Sequence, residues 1–90
     1  MHLDKLRPGQ VVLSTAGRDC GNFYIIYRII NDRYVEVVDG QHRRIENPKK
    51  KNVRHLKFLN YRFPDDGKLS NPEIRKFLKS FAEKGGELDG

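Results

Sequence analysis

Between positions 43 and 57 the chain carries Arg43, Arg44, Lys49, Lys50, Lys51, Arg54 and Lys57 against a single acid, Glu46. That is +6 in fifteen residues, equal to the net charge of all 90. Cations at this density attract polyanions, and the lysines, as point charges on flexible stems, suit a phosphate backbone better than base edges. A basic loop that merely solvates the chain is the other reading of the same charge. A second candidate is Gly17-Arg18-Asp19-Cys20-Gly21. Glycine takes positive φ at no steric cost and lets backbone N–H groups approach a phosphate, and Arg18 supplies a guanidinium fork on that turn. Asp19 is expected to cap the turn through its own backbone.

Other chemistry has little to work with. His2, His42 and His55 lack metal-ligand spacing, and the lone Cys20 has no adjacent base. Phosphate-loop and dinucleotide signatures are absent. No catalytic residue, metal or cofactor is therefore expected, and the chain does not read as an enzyme. One cysteine excludes an internal disulfide. No apolar run approaches the roughly 18 residues of a membrane span, and Met1 to Lys5 holds no apolar signal core. A basic cytoplasmic domain, monomeric when free, is expected.

The elements that must position these groups read as short strands followed by one helix. Gln10 to Ala16 follows Pro8-Gly9 and alternates apolar with polar residues. Phe23 to Ile30 is aromatic and β-branched on both faces except at Arg28, which predicts a central strand covered on each side. Asn31-Asp32 and Asp39-Gly40 are hairpin signals around a strand at Arg33 to Val38, the first because Asn and Asp tolerate left-handed backbone. A short strand at His42 to Ile45 follows. Asn47-Pro48 breaks it and opens the Lys49-Lys50-Lys51 loop, and Val53 to Leu59 is the last strand. Arg43 and Arg44 would then point to opposite faces, as would Arg54 and Lys57, while His55 shares a face with Lys57.

Phe63 to Gly67 is a loop. Asn71-Pro72-Glu73 starts a helix with a capping side chain, a proline at the first helical position and an acid in the first turn. Ile74, Phe77, Leu78 and Phe81 share one helical face, and Gly85-Gly86 ends the element. The domain plan is a barrel at 1–60, a linker at 61–70, a helix at 71–85 and a tail at 86–90. Five short strands with tight turns predict a small antiparallel barrel. The apolar helical face needs a partner surface, either the barrel or another protein.

The run from Gly9 to Ile26, centred on Gly17, resembles a KOW motif. With Asn31-Asp32-Arg33-Tyr34-Val35, Asp39-Gly40-Gln41-His42-Arg43-Arg44 and Asn47 to Leu56 in the same order, residues 6–60 resemble the archaeal and eukaryotic large-subunit ribosomal protein family fourteen-e and its bacterial KOW-domain RNA-binding relatives. The resemblance rests on Gly9, Gly17 and Gly21 as motif glycines. It implies an SH3-like five-stranded barrel that binds structured RNA, usually ribosomal RNA. The helix lies outside the resemblance, and ribosomal proteins are a separate expectation as partners through it. Cys20 stands where bacterial relatives often carry lysine, which removes one phosphate contact. RNA contacts are expected from Arg18, Arg43, Arg44, Lys49, Lys50, Lys51, Arg54 and Lys57. A transcription-elongation KOW module, binding polymerase or nascent RNA, is the alternative. A methyl-lysine reader using Tyr24, Tyr27 and Tyr34 as a cage is disfavoured by a charge that repels basic tails.

Overall fold

Strand pairing begins where aromatic and β-branched residues are densest. In the computed structural model, which describes residues 6–63 and 69–84, the elements are β1 (Gln10–Ser14), β2 (Phe23–Ile29), β3 (Tyr34–Val38), β4 (Lys49–Asn52), a 3-10 turn at Val53–His55, β5 (Leu56–Arg62) and α1 (Asn71–Lys84). All strand pairs are antiparallel, in the order β4-β3-β2-β1-β5. The protein is thus mostly β, a five-stranded antiparallel sheet followed by one helix. The expectations placed on Met1–Lys5, on residues 64–68 and on Gly85-Gly86 and the tail lie outside the described residues.

β2 is central, as its two apolar faces require. Val11, Ile25, Val38 and Leu59 point to one side, where Ile74, Leu78 and Phe81 of α1 cover them. Val12, Tyr24, Ile26, Val35, Val37, Leu56 and Phe58 form a second cluster on the opposite face. Two irregularities bend the sheet between these clusters. Between Ile26 and Arg28 the register of β2 on β3 shifts, so Arg28 faces Glu36 and Ile29 returns to the second cluster. Where β1 slips against β5, the buried Gln10 amide donates to the Val11, Leu59 and Tyr61 carbonyls, satisfying acceptors that the broken ladder exposes.

The helix docks on the sheet of its own chain. Burial of Ile74, Leu78 and Phe81 contributes about 1.5–3 kcal/mol each and stabilises a helix of 14 residues that is marginal alone. Phe77 stands edge-on to Phe63 with ring centres 5.1 Å apart, and Tyr61 stands edge-on to Phe81 at 4.9 Å. The predicted face of α1 is therefore the buried one. Its start differs in detail: the Ser70 carbonyl accepts from Ile74 N–H, so Ser70 holds the capping position. The Asn71 side chain instead accepts from Ile45 N–H and donates to Glu46 Oε1, tying the helix to the loop before β4.

Several boundaries move for identifiable reasons. β1 stops at Ser14, where the Ser14 hydroxyl bonds the Ala16 carbonyl and the chain turns. No strand forms at His42 to Ile45. The Asp39 carboxylate captures the N–H groups of Gln41 and Arg43, and the Arg43 carbonyl accepts from Asp39 and Gly40, which closes a turn instead. The three lysines form a strand, not a loop, because Lys49, Lys50 and Lys51 pair with Val37, Glu36 and Val35. The last strand starts three residues later than expected, since Asn52 Oδ1 caps a 3-10 turn through Arg54 N–H. Asn31 also works by its side chain: Oδ1 accepts from Arg33 and Tyr34 N–H, and no described non-glycine residue has positive φ. The count of five strands survives because one misplaced strand is replaced by another.

Candidate nucleic-acid interface

Gly17 and Gly21 adopt φ of +86° and +95°, as the turn reading requires, and Gly9 adopts +89°. Within the turn, Cys20 N–H donates to the Gly17 carbonyl and Gly21 N–H to the Ser14 carbonyl. Those two donors are consumed internally and do not face a phosphate. Arg18 is exposed at the tip. Nothing crowds a side chain at Gly17 beyond an ordinary contact with Asp19, so the backbone alone sets the cost of substitution. Gly17→Val should lose about 1–2 kcal/mol, or roughly 5–15 °C in melting temperature. An unchanged melt would contradict the turn geometry.

Asp19 does more than cap the turn. Its carboxylate is buried among four donors. Oδ1 lies 2.9 Å from Ser14 Oγ and 3.2 Å from Lys51 Nζ, and Oδ2 lies 2.9 Å from Tyr24 OH and 3.1 Å from Lys49 Nζ. Lys51 Nζ also donates to Ser14 Oγ and the Ala16 carbonyl. A side chain of β4 thus reaches the end of β1 although β3 and β2 lie between them in the sheet. Burial by itself would raise the Asp19 carboxyl. The hydrogen bonds from Lys49, Tyr24, Ser14 and Lys51 outweigh it and hold the group well below the usual carboxylate range. Burial, then the bond to Asp19, pushes the Tyr24 hydroxyl up to about 12.

The eight expected contact residues therefore divide. Lys51, 8% exposed, is a structural cation. Lys49 shares its partner Asp19 and keeps 31% of its side chain exposed. Neither is the mobile loop charge that the triple lysine suggested. Lys50 points to the other face, 4.6 Å from the Tyr34 ring centre, a cation–π contact worth about 0.5–1 kcal/mol at an exposed site. Arg43 and Arg44 lie in the turn after β3, not on a strand. Arg43 is half-buried, and Arg44 sits 3.9 Å from Glu46 with both side chains largely exposed. Arg54 is exposed on the 3-10 turn, so the strand parity expected for Arg54 and His55 does not apply, while Lys57 is exposed on β5 opposite Leu13. The His55 carbonyl accepts from Thr15 N–H, which places Arg54 and its turn against the base of the Arg18 turn.

The three tyrosines do not converge into a cage. Tyr24 lies in the second cluster, Tyr27 packs on the helix side, and Tyr34 is covered by Lys50. The charge reading of 43–57 missed three exposed cations on α1, namely Arg75, Lys76 and Lys79. The signal was present: once Ile74, Leu78 and Phe81 define the buried face, helical spacing puts these three on the open side. Among the described residues no helix is long and apolar enough to cross a membrane. A scan against protein-family models finds no match to this chain, and a search of curated proteins finds none either.

Proposed function

We propose that this domain binds structured RNA, ribosomal RNA being the favoured target, through cations displayed at one end of a small SH3-like barrel of KOW type. One observation carries the reading. Arg18, Arg54, Arg75, Lys76 and Lys79 are exposed and have no ion pair among the described residues, whereas Asp19, Glu36 and Glu46 are each spent on a basic neighbour. The surplus charge is thereby left on the surface, where a phosphate backbone can reach it. The order β4-β3-β2-β1-β5, with Lys51 bridging from the edge strand to β1, supports a sheet coiled into a barrel. The Asp19 cluster holds the turn rigid, so Arg18 is presented without a large ordering cost.

The apolar face of α1 is occupied by the sheet, so any ribosomal protein partner would meet its polar side. Crosslinking the protein to RNA in cells and sequencing the attached fragments tests the assignment. Recovery of a few ribosomal RNA segments is expected. Recovery of nascent transcripts along whole genes would move the domain to the transcription-elongation class, and no enrichment over an uncrosslinked control would remove RNA binding.

A further inference from the structure

A groove opens between α1 and the turns at the adjacent end of the sheet. Arg75, Lys76 and Lys79 line one wall, and Asn22, Gln41 and His42 line the other. Half-buried Phe23 and buried Leu78 form its floor. The acid in the lining, Asp39, is already engaged: Oδ1 accepts from Gln41 and Arg43 N–H, and Oδ2 lies 3.7 Å from His42 Nδ1. We infer that this groove is an RNA site in its own right, taking one phosphodiester strand along the α1 wall. The inference rests on the RNA-binding reading above and gives its three helix cations a defined site.

The geometry suits a strand. Arg75 and Lys79 are one helical turn apart, about 6 Å along the axis, so two cations on one stripe can meet neighbouring phosphates, with Lys76 beside them. The side-chain amides of Asn22 and Gln41 can donate to phosphate or sugar oxygens and also read base edges. Phe23 offers aromatic surface on which a base can lie. An acidic polypeptide of equal charge fits less well. Such partners anchor through apolar side chains in pockets, and Leu78 on the floor is 6% exposed. The wall formed by Gly21 and Asn22 belongs to the turn that carries Arg18, so the groove continues the surface already described.

The test compares two triple variants of the full chain with equal charge loss. Arg75→Gln/Lys76→Gln/Lys79→Gln empties the groove. Arg7→Gln/Arg33→Gln/Arg62→Gln removes three exposed cations that do not line the groove. Binding is read by fluorescence anisotropy with a labelled RNA hairpin bearing a uridine-rich single-stranded flank, after both variants are shown to melt like the parent. The groove variant should bind roughly 30-fold more weakly near 0.1 M salt, with a log–log salt slope flatter by about 2. The control variant should lose about threefold or less. Equal losses in the two variants, or parental affinity in the groove variant, would overturn the groove while leaving RNA binding in place. A parent that does not bind the hairpin would remove both. Competition by polyglutamate as effective as by unlabelled RNA would assign the groove to acidic protein and overturn the inference.

Discussion

Replacing Asp19 with alanine is expected to cost about 3–5 kcal/mol of folding stability. The loss comes less from the missing contacts than from what remains: a Lys51 ammonium 8% exposed, with no counter-charge. The double variant Asp19→Ala/Lys51→Met should recover much of it, because replacing a buried ion pair by apolar groups is often neutral. Chemical denaturation of the parent, both single variants and the double gives the coupling energy. Additive losses would show that the two residues do not act as a pair. The pH dependence follows with a definite sign. The Asp19 carboxyl is depressed in the folded state, so its contribution is fully present above the ordinary carboxylate range near pH 4 and is lost as pH falls below it. The parent should lose stability in acid more steeply than Asp19→Ala. Tyr24 acts in the opposite direction: its raised value stabilises the fold below about pH 10, and that contribution is lost as pH rises through about 12.

Gly40→Ala is the second large effect. Gly40 has φ +77°, and α1 starts directly above it: an added Cβ would lie 2.9 Å from Arg75 N and 3.1 Å from Ile74 Cβ, and would overlap the Asn71 carbonyl. The first two groups named and the carbonyl belong to the helix, so relief requires the helix to lift. The left-handed penalty of about 1–2 kcal/mol adds to overpacking of about 1–3 kcal/mol. The melting temperature should fall by roughly 10–30 °C, and binding of a hydrophobic dye should rise as Ile74, Leu78 and Phe81 leave the sheet. A variant that melts within a few degrees of the parent would contradict the docking of α1.

The parts of this fold legible in the sequence are those with an apolar period. Phe23 to Ile30 reads as a central strand because both of its faces are apolar, and in β2, which ends one residue earlier, Ile25 and Ile26 are buried on opposite sides. The face of α1 is read from Ile74, Leu78 and Phe81 in the same way. β4 was illegible because its inward residues are lysines. Lys49 and Lys51 alternate as strand residues do, but toward Asp19, so the alternation is one of ion pairs instead of hydrophobes. His42 to Ile45 reads as extended, but the Asp39 carboxylate takes the Arg43 N–H. Both errors have one source: a side-chain carboxylate, at Asp19 or Asp39, competes for partners that a linear pattern assigns elsewhere. The site was legible as charge but not as placement. Arg18 and Arg54 stand on adjoining turns as surface cations, Lys51 does not, and the helix cations escape a reading that counts only local density.

The central claim is that surplus surface cations hold RNA by its phosphates. A salt titration of the parent protein on the RNA hairpin addresses it most directly. With four to six phosphates neutralised, the log of the binding constant should fall against the log of salt with a slope of roughly −3 to −5. A slope near zero, with binding retained, would contradict the account.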